Sequence, residues 1–332
     1  IYKIMFFTSL MTGTFITISS NSWIGMWVGL EINLLSMIPL MSNTKNIMES
    51  EASMKYFLTQ ALASAILLFA VLMMMSSNNM LTTKLIKSMI LDSAILTKMG
   101  AAPFHFWFPE VMEGMDWVNS TIMLTWQKIA PMIMFLYLPK PLFFIVTIVI
   151  ISMTISGIMG INQTSMRKIM AYSSINHLGW MISVMCTNQS IWTIYLTIYS
   201  LMTINMTLMF KMLNIFTAKQ MINSMSQNKT MKTMFMLNFL SLGGLPPFIG
   251  FYPKWMTIVF LTQKKMYLLT LVMIIMTLMT LFFYMRMALT SVPLSTSEAS
   301  TKSSSKKSFS IMTSNFMIIS SLAICTLIYG LL

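Results

Sequence analysis

Gly100-Ala-Ala-Pro103-Phe104-His105-Phe106-Trp107-Phe108-Pro109 and Gly244-Leu-Pro-Pro247-Phe248-Ile-Gly-Phe251-Tyr252-Pro253 are the stretches on which the fold turns. Each reads G-x-x-P-F-x-x, two aromatics, then Pro, and the second copy begins 144 residues after the first (244 − 100). Both interrupt apolar sequence with helix-breaking residues, so the stretches 102–117 and 249–262 are read as continuations of broken helices. Unwound backbone at membrane depth is tolerated only where protein or water satisfies it. Gly/Pro-interrupted segments at matching places in two halves therefore point to a transport site.

Outward from these motifs the chain is a series of long apolar runs: 4–20, 22–41, 54–75, 85–101, 118–138, 141–161, 169–186, 190–214, 231–248, 267–288 and 309–331. A membrane helix needs about 20 residues, so the runs predict eleven spans. Four to five spans separate the two motifs, so each ends a five-helix unit, and an odd number of helices inverts the second. The expected fold is an all-α integral membrane protein of two inverted five-helix repeats, each with a broken helix, plus a C-terminal helix. The expected divisions are 1–138, 139–290, a polar loop at 291–308 and the last helix at 309–332.

Composition agrees with this class and excludes others. Of 332 residues 56% are hydrophobic and 9% charged, with mean hydropathy +0.76, whereas soluble domains carry about 25% charged residues. No room remains for a separate soluble catalytic domain. The net charge of +13 has no basic, aromatic-interleaved soluble face to serve nucleic acid. Cys186 and Cys325 both lie in apolar runs, which excludes a thiolate metal site or a disulfide framework. No phosphate-cradling loop, nucleophile elbow or metal-spaced His/Glu set occurs. Methionine is present 42 times, and arginine only at Arg167 and Arg286 among 21 basic residues. AT-rich coding with an additional Met codon, as in animal mitochondria, gives this bias. Ile1 fits an alternative start there, with no cleavable targeting segment expected.

Loop charges predict the orientation. If the N-terminus faces side A, that side receives thirteen basic residues, among them Lys3, Lys45, Lys55, Arg167, Lys168, Arg286, Lys306 and Lys307. Side B receives five: Lys84, Lys87, Lys140, Lys264 and Lys265. By the positive-inside rule side A is cytoplasm-like, which in a mitochondrion is the matrix. Trp23, Trp117 and Trp192 near span ends are expected as interfacial anchors.

An ionisable side chain mid-span costs about 2.5–3.5 kcal/mol on insertion scales, so each needs a reason. Glu31 lies about 13 Å along its helix from Ser22. Lys98 precedes the first break, Lys128 lies mid-span before Pro131, and Lys254 follows the second break. These four are the candidate proton relay, in which a Glu31–Lys98 pair that forms and breaks switches the proton affinity of Lys98. His105, inside the first break, and His177, within the seventh span, are further relay candidates. Asp92, near the side B end of its span, and Glu110, Glu113 and Asp116, after the first break, are expected to be solvated.

The runs Ser20–Asn33, Glu51–Leu58, Gly100–Glu110, Trp126-Gln-Lys128-Ile-Ala-Pro131, Ser173–Met181 and Leu242–Phe251 together resemble, in its insect versions, the family of second-subunit chains of mitochondrial NADH:ubiquinone oxidoreductase, respiratory complex I. The resemblance covers essentially the whole chain. It implies an antiporter-like subunit of the membrane arm, in the mitochondrial inner membrane, related to cation/proton antiporter subunits. Bacterial relatives have three further N-terminal helices, which this chain lacks. The family's key residues fall on Glu31, Lys98, Lys128 and Lys254. The implied partners are other membrane-arm subunits, including antiporter-like neighbours and accessory subunits, and membrane lipids such as cardiolipin. Cofactors are expected only elsewhere in the complex: FMN, iron–sulfur clusters and ubiquinone, with no redox centre in this chain. Two alternatives stay open, a stand-alone cation/proton antiporter and a structural or assembly subunit whose buried charges are residual.

Overall fold

The computed structural model describes residues 2–43, 46–75, 81–221, 229–246 and 248–290. The expected polar loop at 291–308, the last helix at 309–331, Cys325 and Pro247 lie outside the described residues. Those described are helical, with one isolated antiparallel bridge between Ser165 and Thr217.

The helices in chain order are α1 (Tyr2–Ser19), α2 (Trp23–Met41), α3 (Ile47–Met75), α4 (Leu81–Met99), α5 (Trp107–Gly114), α6 (Trp117–Leu124) and α7 (Trp126–Tyr137). They continue with α8 (Leu142–Ile161), α9 (Met166–Met185), α10 (Gln189–Leu213), α11 (Lys229–Gly243), α12 (Phe251–Gln263) and α13 (Tyr267–Thr290). Five of them, α2, α3, α8, α10 and α13, are long and apolar enough to cross a membrane on length and composition. The helices form two compact units, Ile1–Ser152 and Met153–Leu332.

In the first unit α1 packs on α2, α2 on α3, α3 on α4 and α5, and α7 on α1, α2 and α4. Close approach rests on small residues: a Cβ at Gly114 would stand 2.6 Å from both the Ala52 Cβ and the Met48 carbonyl oxygen. In the second unit α9 is enclosed. Apart from Arg167 and Lys168, every residue from Met166 to Met185 is buried, the signature of a helix apolar or satisfied all round its circumference. Its hydroxyls fold back on their own helix, Ser173 to the Met170 carbonyl and Ser174 to the Ala171 carbonyl, each at 2.7 Å. Such bonds let polar residues enter a core without orphaned donors.

Two expectations are corrected. The run 118–138 is not one helix, because α6 ends at Leu124 and α7 begins at Trp126. Pro131 has no amide to give the Gln127 carbonyl, and Thr125 departs to φ −113°, ψ −71°. The Lys128 amide then bonds the Thr125 carbonyl at 3.4 Å, three residues back instead of four. Trp117 and Trp192 are not interfacial anchors within this structure, being only 3% and 5% exposed.

Candidate functional site

Each G-x-x-P-F motif ends a helix in the same way. Gly100 sits at φ +73° and Gly244 at φ +77°, the left-handed region that glycine enters without steric cost. The Ala101 amide bonds the Leu96 carbonyl at 3.1 Å, and the Leu245 amide bonds the Leu240 carbonyl at 3.3 Å. These i→i−5 bonds are the Schellman closure of a helix C-terminus. The chain then turns before Trp107 and Phe251 restart the helix. Pro109 and Pro253 fall in the first turn of the new helices, where a missing amide is not needed.

The first break builds a small cavity of about 20 Å³, lined among others by Asn33, Tyr56, Gln60, Lys98, Gln127 and Lys128. Gly100 lets the Phe108 side chain fold back, since a Cβ there would lie 3.2 Å from the Phe108 Cβ. Phe108 in turn presents its ring to Lys128, whose Nζ stands 5.4 Å from the ring centroid, a cation–π distance. Lys98 and Lys128 are 7% and 3% exposed. The Trp107 indole donates to the Thr97 carbonyl at 3.1 Å, and the Gln60 amide donates to the Lys98 carbonyl at 3.5 Å. The indole bond adds to the 3.1 Å bond that the Thr97 carbonyl accepts from the Gly100 amide, and both contacts fall on carbonyls of the last turn of α4.

Glu31 does not line this cavity, but its charge acts on both Lys98 and Tyr56. Its Oε1 is buried without a hydrogen-bond partner among the described residues, and no nitrogen–oxygen contact within 4.0 Å joins it to Lys98. The structure thus brings Glu31, Lys98 and Lys128 into one neighbourhood without closing a salt bridge. His105 is 2% exposed, its Nδ1 3.3 Å from the Pro103 carbonyl within the break. Glu110 is solvated and pairs with Lys55 at 3.0 Å, as does Glu51 at 2.9 Å. Exposed pairs of this kind contribute little.

The second break holds Lys254, 6% exposed. Its Nζ donates to the Gly243 carbonyl at 2.8 Å, so a residue of α12 caps the C-terminus of α11, where a cation complements the helix dipole. In the same unit the His177 Nδ1 meets the Tyr195 hydroxyl at 2.8 Å and the ring stacks obliquely on Tyr199 at 5.0 Å. The Asn205 amide donates to the Asn238 Oδ1 at 3.3 Å. Among the described residues no cluster of three or more His, Cys, Asp or Glu is arranged to hold a metal ion.

Sequence reasoning passed over Tyr56 and Gln60, which share a face of α3 by their four-residue spacing, and Gln127, whose buried Nε2 has no partner among the described residues. It also misread Asp92, expected to be solvated, which is 0% exposed. Packing of α4 against α3 and α7 covers it.

A family profile described as "NADH:quinone oxidoreductase/Mrp antiporter, TM" matches residues 20–280. The protein named NADH-ubiquinone oxidoreductase chain 2 of Anopheles gambiae is 50% identical over 287 residues, covering 86% of this chain and 84% of that one. Its namesake in Aedes aegypti is 47% identical over 335 residues, covering 99% and 98%. A chain of respiratory complex I from Thermus thermophilus superposes with TM-score 0.86 at 20% identity, over 96% of this chain and 77% of that one. A chain of the Mrp complex from a Dietzia species gives 0.73 at 16% identity, over 84% and 58%. At those identities the two structures speak for the fold alone. The family match and the insect relatives together establish that the chain belongs to the NADH:quinone oxidoreductase/Mrp antiporter membrane family, among its NADH-ubiquinone oxidoreductase chain 2 members.

Proposed function

We propose that the chain is a proton-translocating membrane-arm subunit of NADH:ubiquinone oxidoreductase, coupling quinone reduction elsewhere in the complex to proton transfer through buried charged residues. The observation that carries the reading is that Lys98 and Lys128, both buried, line one cavity, with the Glu31 charge acting on Lys98. Two buried lysines beside one cavity place two proton-carrying groups together, and a charge on either one disfavours a charge on its neighbour. Glu31 and Lys98 form the switching pair, Lys128 is the central relay, and Lys254 hands protons onward. His105 and His177 are secondary carriers. The cavity is polar enough to hold water, which these transfers require.

In this reading the mitochondrial inner membrane holds eleven helices, the N-terminus faces the matrix, and the repeats run over 1–138 and 139–290. The flavin, iron–sulfur and quinone chemistry belongs to other subunits, and antiporter-like and accessory neighbours, with lipids such as cardiolipin, surround the chain. Moving a proton against a potential costs about 2.3 kcal/mol per 100 mV, and that energy comes from the redox reaction in those subunits. In assembled complex reconstituted into vesicles, Glu31→Gln is expected to lower the protons moved per NADH oxidised. An unchanged ratio in a fully assembled variant would count against the switching pair.

A scaffold role is favoured by one observation, that Lys254 already satisfies a helix-end carbonyl. It leaves the two lysines of the first cavity without a reason for being buried.

A further inference from the structure

Asp92 lies on α4 six residues before Lys98, about 9 Å along the helix at a rise of about 1.5 Å per residue. Its side chain is fully buried, and neither carboxyl oxygen has a hydrogen-bond partner among the described residues. Buried polar groups are almost always bonded, and an unpaired carboxylate in apolar surroundings is among the costliest groups to enclose.

The ionisable residues of the helices packed on α4 are Glu49, Glu51, Lys55 and Tyr56 on α3 and Lys128 and Tyr137 on α7. Residues 61–75 of α3 and residues 129–136 of α7 contain none, and Tyr137 at the end of α7 is exposed. The charged group acting on Asp92 from outside its helix is Lys140, in the connection between α7 and α8. On α4 itself Lys84 and Lys87 precede it and Lys98 follows. Asp92 therefore stands between the Lys98 cavity and the Lys140 end of the first unit, with neither oxygen engaged by a described residue.

We propose that Asp92 carries protons between the Lys98–Lys128 cavity and the Lys140 end of the unit. This rests on the proton-transfer reading above and extends it. A proton leaves the Lys98 ammonium, which becomes a neutral amine, and reaches the Asp92 carboxylate through water, giving the carboxylic acid. Release of that proton to water at the Lys140 end restores the carboxylate, and the reverse sequence balances equally.

Two measurements on assembled complex decide the matter. Asp92→Asn keeps the shape and removes the titration, so it is expected to lose most proton transport per NADH oxidised, while Asp92→Glu restores it. In the unmodified complex N,N′-dicyclohexylcarbodiimide, which attacks protonated carboxyls in apolar surroundings, is expected to leave an adduct on the peptide containing Asp92. Wild-type transport in Asp92→Asn and no adduct would overturn the proposal. Lys128→Met measured alongside separates the two levels: if it stops transport while Asp92→Asn does not, only the Asp92 step falls. If both transport normally, the relay reading falls with it. Should Asp92→Asn fail to assemble, the adduct alone decides.

Discussion

Gly244→Ala perturbs the second break at its tightest point. At φ +77° any Cβ costs about 1–2 kcal/mol. Here the added carbon would also lie 2.9 Å from both the Lys254 Cδ and Nζ, forcing the lysine off the Gly243 carbonyl it meets at 2.8 Å. A hydrogen bond from a charged group contributes about 1.5–3 kcal/mol, so the whole change is expected to destabilise by about 2.5–5 kcal/mol. Gly100→Ala is the internal control. Its φ of +73° carries the same backbone cost, but its new neighbour is the Phe108 side chain at 3.2 Å, so about 1–2 kcal/mol is expected. The assay is the thermal inactivation midpoint of assembled complex, with complex abundance on native gels. Lys254→Met completes a double-mutant cycle: once the lysine is gone, Gly244→Ala should fall to the cost of Gly100→Ala. Equal effects of the two glycine substitutions in the parent, or strict additivity with Lys254→Met, would refute the capping argument.

Other perturbations follow from single contacts. Tyr195→Phe removes the 2.8 Å bond to the His177 Nδ1 and is expected to cost about 1–3 kcal/mol, read as a lower inactivation midpoint. An unchanged midpoint would mean that this contact contributes nothing to stability. Gly114→Leu drives a side chain into Met48 and Ala52, where even a Cβ has only 2.6 Å. Overpacking costs about 1–3 kcal/mol where neighbours can shift, and more against the Met48 backbone, so loss of assembled complex is expected. Normal yield would show that α3 and α5 are free to separate.

The breaks were legible because Gly and Pro punctuate apolar sequence with a fixed chemistry. Met99 and Gly243, where α4 and α11 stop, and Trp107 and Phe251, where α5 and α12 start, are themselves 144 residues apart. The kink at Thr125 was less legible, since Pro131 acts on a carbonyl four residues earlier and the chain leaves the helix two residues before that. Lys98 and Lys128 stood out because charge in an apolar run is costly wherever it lies. Tyr56 and Gln60 did not, because an uncharged polar face on a long span gives no such signal. The burial of Asp92 and the partner of Lys254 depend on which helices pack together, which periodicity does not encode. Lys254 has Glu110 as its motif counterpart, 144 residues earlier, and that residue is exposed and paired with Lys55. The repeat therefore predicts the backbone at these positions and not the chemistry placed on it.

The central claim is that the buried lysines move protons, and Lys128 tests it most directly because it is buried, lines the cavity and lies beside the kink between α6 and α7. Lys128→Met keeps an apolar side chain of similar length and removes the charge. In assembled complex reconstituted into vesicles, proton transport and NADH oxidation are measured together. The account predicts full assembly with transport lost or uncoupled from oxidation. Full assembly with wild-type transport per NADH would contradict it and leave the chain as scaffold.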